Sequence, residues 1–468
     1  MSQPSTFDLV VIGGGPAGYV AAIRAAQLGK TVACIEKERP GGTCLNWGCI
    51  PTKALLKTAD LLDHIRHAED FGIKINGTVQ IDLPSIIQRS RSVADTMAKG
   101  IEYLFQSKKV HHIAGHAQIT SPTQVTITPQ QGGAPTILQT RYILIATGCK
   151  PRPFPGLPAD APNVWTSKEA MLPSALPRSL IIIGAGAIGV EFAYFYNALG
   201  TKVTLIEAMP QLVPQEDHEV AALLEKEFTK QGITVITQAK TENIQPTDQG
   251  VNVTLSAPTP QNLSAEKLLL AIGVIPNLDG LLAPSVRIEL DAKGYIKTND
   301  RYQTSIPTIY AAGDIIGPPW LAHVASHEAI EAVEGLFIPG KKPHKITTTP
   351  ACTYCQPQIA SIGLTEKQAK EKGLRFKVAK FPYRASGRAV ASGEPEGFVK
   401  LIAGEPHGEI LGAHIIGAEA TELIAELSLA IQLEATLDEI HTTIHPHPTL
   451  SEMVAEAALA AKGAAIHI

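Results

Sequence analysis

An internal repeat constrains this chain of 468 residues more than any other feature. Residues 9–37 and 180–208 match at a constant offset, and each copy runs from an apolar strand through G-x-G-x-x-G into an Ala-rich helix and a second strand. The motif glycines are Gly13, Gly15 and Gly18 in the first copy, and Gly184, Gly186 and Gly189 in the second. In a βαβ unit the first glycine makes the tight turn, the second admits a pyrophosphate and the third permits close helix packing. The repeat therefore predicts two separate dinucleotide-binding units.

An acidic residue closes each copy of the repeat, Glu36 in the first and Glu207 in the second. A carboxylate at this position accepts hydrogen bonds from the ribose hydroxyls of adenosine, whereas it repels a 2′-phosphate. We therefore expect the second unit to bind NAD rather than NADP.

Length and composition set the outer limits of the interpretation. A chain of this length is expected to form about three or four domains at about 100–200 residues each. The 44% apolar and 18% charged residues are typical of a globular protein, and the net charge of −4 gives no nucleic-acid or membrane signature. The first eight residues lack the basic region of a signal peptide, and no apolar run reaches the ~20 residues of a membrane helix. We expect a cytoplasmic protein.

Two cysteines follow the first unit directly, in residues 41–53, which read G-G-T-C-L-N-W-G-C-I-P-T-K. Residues five apart on a regular helix have Cα atoms about 8–9 Å apart, beyond the ~7 Å limit for a disulfide. Cys44 and Cys49 can therefore bond only if the helix is distorted. Gly48 permits such a distortion, and Pro51 is tolerated if a regular helix begins close to Cys49.

The position of this pair favours redox chemistry over its alternatives, which are two buried free thiols or half of a metal site. No second Cys/His cluster lies nearby to complete four ligands, so we expect no metal. A thiol at a helix N-terminus has a lowered pKa, which makes Cys49 the readier thiolate, and Lys53 lies one turn further on the same face. A second pair, Cys352 and Cys355, is expected to be structural, because side chains three apart on one extended strand face opposite sides.

The segment from Gly41 to Lys53, together with the double repeat, resembles the pyridine nucleotide-disulfide oxidoreductase family, and within it the members that oxidise dihydrolipoyl groups. The resemblance covers essentially the whole chain. It implies an α/β fold with an FAD-binding domain at 1–150, an NAD-binding domain at 151–275, a central domain that completes the FAD site at 276–345 and an α+β interface or dimerisation domain at 346–468. In this family Cys44 exchanges with the substrate and Cys49 lies against the flavin.

The resemblance also assigns cofactor contacts. The implied FAD positions are Gly13, Gly15, Gly18, Glu36, Lys53, Thr147, Gly148, Asp314 and Ala322. The implied NAD positions are Gly184, Gly186, Gly189, Glu207 and Gly273. Glu191 matches the family glutamate that pairs with Lys53 between flavin and nicotinamide. Val274 stands where the family often has an Arg, so one contact to NAD is expected to be missing.

Near the C-terminus, residues 445–452 read H-P-H-P-T-L-S-E and resemble the family motif H-P-T-x-x-E. The resemblance implies that His447 accepts a proton from a thiol and that Glu452 orients its imidazole. Pro448 suits the first position of a helix, which predicts that the helix begins there. In this family the motif comes from the partner subunit, which implies an obligate homodimer.

The implied activity is the oxidation of protein-bound dihydrolipoyl groups, with electrons passing through a Cys44–Cys49 disulfide and FAD to NAD⁺. The implied partners are lipoylated carrier domains or proteins of 2-oxo acid dehydrogenase or glycine cleavage complexes. Three alternative functions would require different features. A glutathione reductase-like enzyme would want basic residues where Glu207 stands, and a mercuric reductase-like enzyme would want a cysteine pair near the C-terminus. A redox-sensing flavoprotein subunit would show no turnover.

Overall fold

The computed structural model describes residues 6–130, 132–158, 160–257 and 259–468. The chain divides into two compact units, each made of three stretches. Unit 1 comprises Met1–Leu55, Pro84–Arg152 and Gly273–Thr347, and unit 2 comprises Leu56–Leu83, Pro153–Ile272 and Thr348–Ile468. Within the described ranges, every helix is too short or too polar to cross a membrane.

The helices alternate with strands over much of the chain. The α-helices are α1 (Pro16–Gln27), α2 (Gly42–Trp47), α3 (Cys49–Arg66), α4 (Leu83–Ser107), α5 (Ser167–Ala170), α6 (Ala187–Ala198), α7 (His218–Lys230), α8 (Ala322–Phe337), α9 (Glu366–Glu371), α10 (Gly387–Ala391), α11 (Ala420–Gln432), α12 (Leu437–Thr442) and α13 (Glu452–Ala461). Short 3₁₀ helices cover Ala68–Phe71, Asp314–Ile316 and Tyr383–Ala385.

The strands belong to parallel and antiparallel sheets. They are β1 (Phe7–Ile12), β2 (Val32–Glu36), β3 (His111–Ser121), β4 (Gln124–Pro129), β5 (Thr136–Ile145), β6 (Cys149–Pro151), β7 (Val164–Trp165), β8 (Ser179–Ile183), β9 (Lys202–Ile206), β10 (Thr234–Ile236), β11 (Thr241–Thr247), β12 (Gly250–Leu255), β13 (Gln261–Ala265), β14 (Lys267–Leu270), β15 (Val274–Pro276), β16 (Ile309–Ala311), β17 (Ala351–Thr353), β18 (Gln358–Gly363), β19 (Phe376–Pro382), β20 (Phe398–Gly404) and β21 (Ile410–Gly417).

Unit 1 is built on a parallel sheet in which β1 lies between β2 and β5, with β3 beyond β2 and β16 beyond β5. Strand β4 joins β3 to β5 as an antiparallel meander. Apart from Asp8 and Glu36, the residues of β1 and β2 are apolar and buried on both faces, as in strands covered on two sides. The first copy of the repeat thus forms the expected βαβ unit, β1–α1–β2.

Unit 2 contains a second parallel sheet, in the order β10-β9-β8-β14-β7, beside a three-stranded antiparallel sheet of β11, β12 and β13. The second copy of the repeat forms β8–α6–β9 at the centre of the parallel sheet. The same topology in both copies confirms the prediction of two Rossmann-like units.

The last part of unit 2 is an antiparallel sheet in the order β17-β18-β21-β20-β19. Helices α11 and α13 pack on it through one apolar core that includes Leu401, Ile415 and Met453. Strands β20 and β21 followed by helix α11 confirm the α+β arrangement that the resemblance implied for this part of the chain.

One ion cluster ties elements of unit 2 together. The side chain of Lys400 on β20 is fully buried, and its Nζ lies 2.8 Å from Asp217, 2.8 Å from Glu219 and 3.0 Å from Glu366. Burial by itself lowers the pKa of Lys400, but the hydrogen bonds to the three carboxylates outweigh it, and the net shift is upward. The cluster therefore holds α7 and α9 against the antiparallel sheet with its buried charge paired.

Candidate active site

The first glycine loop connects β1 to α1 in unit 1. Gly13 has φ +104°, and a Cβ there would lie 2.3 Å from the carbonyl oxygen of Ala146. A Cβ at Gly18 would lie 1.8 Å from the oxygen of Gly13, so both positions exclude any larger residue. Gly15 is open by contrast, since the nearest atom to a Cβ there is the Cα of Gly42 at 3.8 Å. The loop thus leaves space over the N-terminus of α1, which fits a pyrophosphate.

The second loop repeats this geometry in unit 2. Gly184 has φ +97°, and a Cβ there would lie 2.4 Å from the oxygen of Ala271. A Cβ at Gly189 would lie 1.9 Å from the oxygen of Gly184, whereas one at Gly186 would meet nothing within 4 Å. Helix α6 begins directly after Gly186. Each unit therefore presents its own site for the phosphates of a dinucleotide.

The acids that close the repeats are buried and occupy equivalent positions. Each carboxylate accepts two backbone N–H bonds from its own loops: Glu36 from Gly14 (2.6 Å) and Glu38 (2.8 Å), and Glu207 from Ala185 (2.7 Å) and Met209 (2.9 Å). A carboxylate has about four acceptor positions. Both acids therefore keep acceptor capacity for two ribose hydroxyls, which fits an adenosine at each site.

Asp314 is brought to the first glycine loop by close packing. A Cβ at Gly313 would lie 3.1 Å from the Cβ of Ala17 in α1 and 3.2 Å from that of Ala325 in α8. Glu328 of α8 accepts the Gly313 N–H at 2.8 Å. Burial raises the pKa of Asp314 to about 6 and that of Glu328 to about 7. A half-buried acid next to Gly313 fits a polar cofactor group such as a ribityl hydroxyl.

The A-T-G segment after β5 is fixed by Asn277. Thr147 donates its hydroxyl to the Asn277 carbonyl at 2.9 Å, and the Asn277 side chain donates to the Thr147 carbonyl at 3.0 Å. The N–H of Asn277 also binds the carbonyl of Gly148 at 3.0 Å. Ala322 is the first residue of α8. The sequence does not reveal Asn277 and Glu328, because the partners of both residues are distant in the chain.

Gly273 lies in unit 1, although the resemblance implied an NAD contact for it. Its carbonyl accepts the Arg152 N–H at 2.9 Å, and Arg152 Nη2 donates to the carbonyl of Val274 at 3.1 Å. The NAD contact of Gly273 remains a prediction.

The redox segment, residues 41–54, docks directly on the first glycine loop. The N–H of Gly41 binds the carbonyl of Gly14 at 2.8 Å, and a Cβ at Gly42 would lie 2.6 Å from the Cα of Gly15. Helix α2 ends before Gly48 and α3 begins at Cys49. The helix is therefore broken between the cysteines, as the disulfide argument required.

The two thiols of this segment lie within hydrogen-bonding distance of one another. Cys44 is half-buried on α2, and Cys49 is exposed as the first residue of α3. The hydrogen bond with Cys49 and burial raise the pKa of Cys44, and the charge of Lys53 partly opposes them. The structure thus brings together the cysteines and the lysine that the sequence singled out.

Glu191 lies on α6 and is almost fully buried (4% exposed). Its Oε1 accepts the backbone N–H of Tyr354 at 3.0 Å. Lys53 belongs to unit 1 and Glu191 to unit 2, so their pairing remains a prediction.

The second cysteine pair departs in part from its prediction. Cys352 lies on β17 as expected, but the strand ends at Thr353 and Cys355 lies in the turn that follows. The expectation of one extended strand is therefore wrong at Cys355. Its thiol is buried and donates to the carbonyl of Pro357 at 3.4 Å, within the turn.

The C-terminal motif holds its histidine by one carboxylate. Nδ1 of His447 lies 2.8 Å from Oε1 of Glu452, whose Oε2 accepts the N–H of Thr449 at 2.8 Å. Helix α13 begins at Glu452, so the predicted start at Pro448 is wrong. The reason is local: the hydroxyl of Thr449 binds the carbonyl of Pro446 at 2.7 Å, which holds this segment in a turn before the helix.

A second histidine of the motif was not singled out by the sequence. His445 has a side chain only 7% exposed, with Nε2 2.7 Å from Glu426 of α11 and Nδ1 2.9 Å from the carbonyl of Thr443. Both ring nitrogens are thus bonded. His445 anchors the backbone that leads to His447, whose side chain is 81% exposed.

Comparison with protein families decides what this arrangement belongs to. Residues 7–329 match the model of the pyridine nucleotide-disulphide oxidoreductases, and residues 349–458 match the dimerisation domain of the same family. The chain belongs to this family. It is an oxidoreductase, and FAD and NAD(H) are the cofactors of the family enzymes that it resembles. The fold, with its paired dinucleotide units and C-terminal domain, agrees with this assignment.

Individual relatives match over nearly the full length. The dihydrolipoyl dehydrogenase of Rhizobium etli is 41% identical over 98% of both chains, and that of Bacillus subtilis is 43% identical over 98% of this chain and 99% of its own. Among solved structures, LpdA of Mycobacterium tuberculosis superimposes with a TM-score of 0.89 and 29% identity, covering 97% of this chain and 99% of that chain.

Proposed function

We propose that this chain is an FAD-dependent dihydrolipoyl dehydrogenase that oxidises protein-bound dihydrolipoyl groups and delivers the electrons to NAD⁺. The observation that carries the proposal is the pair of cysteines held in hydrogen-bond contact on a segment docked against the first glycine loop. The named relatives support the same activity, and they favour it over a glutathione reductase-like, mercuric reductase-like or sensing role.

Proton transfer is assigned to His447. Its Nδ1 faces the carboxylate of Glu452, which fixes the proton on that nitrogen and leaves Nε2 as the acceptor. Nε2 takes the proton of one dihydrolipoyl thiol, and the resulting thiolate attacks Sγ of Cys44. The Cys44–Cys49 bond breaks, and Cys49 leaves as a thiolate.

The second substrate thiol then attacks the substrate sulfur of the mixed disulfide, and its proton passes to the Cys44 thiolate that this attack releases. The lipoyl ring closes, with one proton held by His447 and the other by Cys44. The substrate has lost two electrons and two protons, and the cysteine pair has gained the two electrons. Lys53 favours the anionic sulfur by its charge. Bound FAD supplies the electron transfer from the dithiol to nicotinamide.

The cofactor contacts follow the two glycine loops. The FAD residues of the proposal are Gly13, Gly15, Gly18, Glu36, Lys53, Thr147, Gly148, Asp314 and Ala322, and the NAD residues are Gly184, Gly186, Gly189, Glu207 and Gly273. Glu191 is assigned to the Lys53 pair. The domain limits at 150, 275 and 345 are part of the same proposal.

The proposal includes a homodimer in which His447 and Glu452 complete the active site of the partner subunit. The dimerisation domain at 349–458 supports it. Lipoylated carrier domains of 2-oxo acid dehydrogenase or glycine cleavage complexes are the proposed partners, and the cytoplasm is the proposed location. Pull-down with a lipoylated domain and cell fractionation test these two parts.

Steady-state turnover tests the activity. Purified protein with dihydrolipoamide and NAD⁺ is expected to form NADH, and Cys44→Ser is expected to abolish the reaction because no mixed disulfide can form. Cys352→Ser is the matched control and should leave turnover within about twofold of wild type, since that half-buried thiol packs against the C-terminal core. Full turnover in Cys44→Ser would refute the exchange step.

A further inference from the structure

Three consecutive side chains of α4 donate hydrogen bonds to the backbone of the redox segment. Arg89 Nη1 binds the carbonyl of Ala54 at 2.9 Å, Ser90 Oγ that of Pro51 at 2.9 Å, and Arg91 Nη1 that of Asn46 at 2.7 Å. All six residues belong to unit 1. Helix α4 thus contacts the redox segment on both sides of the break at Gly48.

The two cysteines lie on the two different sides of that break. Cys44 belongs to α2, and the Asn46 carbonyl that Arg91 binds lies near the C-terminal end of the same helix. Cys49 opens α3, whose first two turns carry the carbonyls bound by Ser90 and Arg89. Both sulfur-bearing helices are therefore bonded to one continuous helix.

Of these three side chains of α4, Arg91 alone donates its hydrogen bond to α2. Its guanidinium carbon lies 4.7 Å from the centre of the Trp47 ring, so it stacks on the last residue of α2 as well. The last carbonyls of a helix have no partner within the helix, and a cation is favourable there. Nε and Nη2 of Arg91 are buried without a hydrogen-bond partner in the described ranges. The Asn46 bond and the Trp47 contact thus fix the position of the guanidinium.

We propose that Arg91 is a positioning residue for the redox pair. Through Asn46 and Trp47 it holds α2, and with it Cys44, at a fixed distance from Cys49 after the disulfide has opened. The inference rests on the proposed function, because it requires that Cys44 and Cys49 form the disulfide.

Holding α2 in a fixed position relative to Cys49 changes the equilibrium between the dithiol and the disulfide. Closing a disulfide from two thiols releases two electrons and two protons, and its free energy depends on how often the thiols meet. When α2 is held, the effective concentration of one thiol toward the other is high, which favours the disulfide. Without Arg91, α2 gains freedom, and the disulfide becomes easier to reduce. We expect a shift of about tenfold in the equilibrium constant, equivalent to about 30 mV for two electrons.

The test compares two arginines of the same helix. Arg91→Met removes the bond to α2 and keeps an apolar side chain for Trp47, whereas Arg89→Met removes a bond of similar length that reaches α3 only. The FAD-loaded variants are equilibrated in dithiothreitol redox buffers, and thiols are trapped by alkylation. Mass spectrometry then gives the oxidised fraction of the peptide that contains Cys44 and Cys49.

The expected result is an approximately tenfold shift toward dithiol in Arg91→Met, no more than about twofold in Arg89→Met, and partial rescue in Arg91→Lys, which keeps the charge. Should Arg91→Met fail to fold, Arg91→Lys and Arg91→Gln supply the comparison. Equal shifts in both methionine variants, or none in the Arg91 variants, would overturn the inference. A wild-type protein that never forms the disulfide would instead refute the proposed function.

Discussion

At the scale of single residues, the proposed proton acceptor, His447, is held by one carboxylate, that of Glu452. Burial raises the pKa of Glu452, but the hydrogen bonds from Thr449 and His447 outweigh it, and the net shift is downward. Glu452 therefore stays ionised at neutral pH and holds the Nδ1 proton of His447. Glu456 makes a matching contact on the same helix, 2.8 Å from Nδ1 of His467.

Glu452→Gln should lower turnover of dihydrolipoamide by about 100-fold or more, the usual size of a lost general-base contribution. Electron transfer from NADH to ferricyanide should stay near wild type, because that reaction needs no thiol deprotonation. Glu456→Gln is the control and should leave both reactions unchanged. If Glu452→Gln lowered the rates of both reactions by the same factor, Glu452 would have a structural role only.

The proposed preference for NAD⁺ over NADP⁺ depends on Glu207. Glu207→Gln removes the charge that repels a 2′-phosphate and weakens acceptance from ribose. The kcat/KM for NAD⁺ should fall about tenfold or more, and the discrimination against NADP⁺ should narrow. Glu36 has the same hydrogen-bond geometry in the first unit. Glu36→Gln should therefore lower the retention of FAD and leave the ratio of kcat/KM for NAD⁺ to kcat/KM for NADP⁺ unchanged. If that ratio were unchanged in Glu207→Gln, the role assigned to Glu207 would be contradicted.

At the scale of elements, the segment just before α7 carries a half-buried acid, Glu216, next to Asp217 of the Lys400 cluster. Oε2 of Glu216 is buried without a hydrogen-bond partner in the part of the chain that the structure describes. Burial and the charge of Asp217 raise its pKa to about 7 from the ordinary 4.5, against the effect of Ser361. Between these two values the folded state holds a proton that the unfolded state has released. Stability therefore falls as pH rises from about 4.5 to about 7.

Glu216→Gln should remove that loss, since the amide has the shape of the protonated acid and does not ionise. Relative to wild type, the variant should gain on the order of 2–3 kcal/mol in the free energy of unfolding between pH 4.5 and pH 8. Urea unfolding at a series of pH values measures the difference. If the difference in the free energy of unfolding between the two proteins stayed constant with pH, Glu216 would not titrate in this range.

At the scale of the whole molecule, the proposed dimer makes each active site from two chains. Inactive Cys44→Ser and inactive His447→Gln should complement one another when co-expressed, because a mixed dimer contains one site with both residues intact. Random assembly gives about a quarter of wild-type turnover. Cys44→Ser mixed with Cys49→Ser is the control and should stay inactive, since every redox segment then carries a lesion. Failure of the first mixture would place His447 with the cysteines of its own chain.

The family assignment concerns the whole molecule, because the two family models together match residues 7–329 and 349–458. The sequence predicted both βαβ units, since the tight turn at Gly13 and the close packing at Gly18 are steric requirements that few residues satisfy. It also predicted the broken helix between Cys44 and Cys49, because distance along a helix is fixed by geometry. These predictions needed only local rules.

Other features lay beyond local rules. Helix α13 begins four residues later than predicted, because the bond from the Thr449 hydroxyl to the Pro446 carbonyl favours a turn there and is not visible as a pattern in the sequence. The contacts of Glu328 with Gly313 and of Arg91 with Asn46 join residues 15 and 45 positions apart. In the sequence each of these side chains is an ordinary charged residue of a helix.

The sequence by itself determined the two dinucleotide units, the position of the redox pair and the identity of the acids, since glycine sterics and helix geometry act between near neighbours. Only the tertiary structure decided which side chains hold those parts in place. Hydrogen bonds such as that of Arg91 form between elements that meet after the sheet and its helices have packed, and no local preference specifies that meeting.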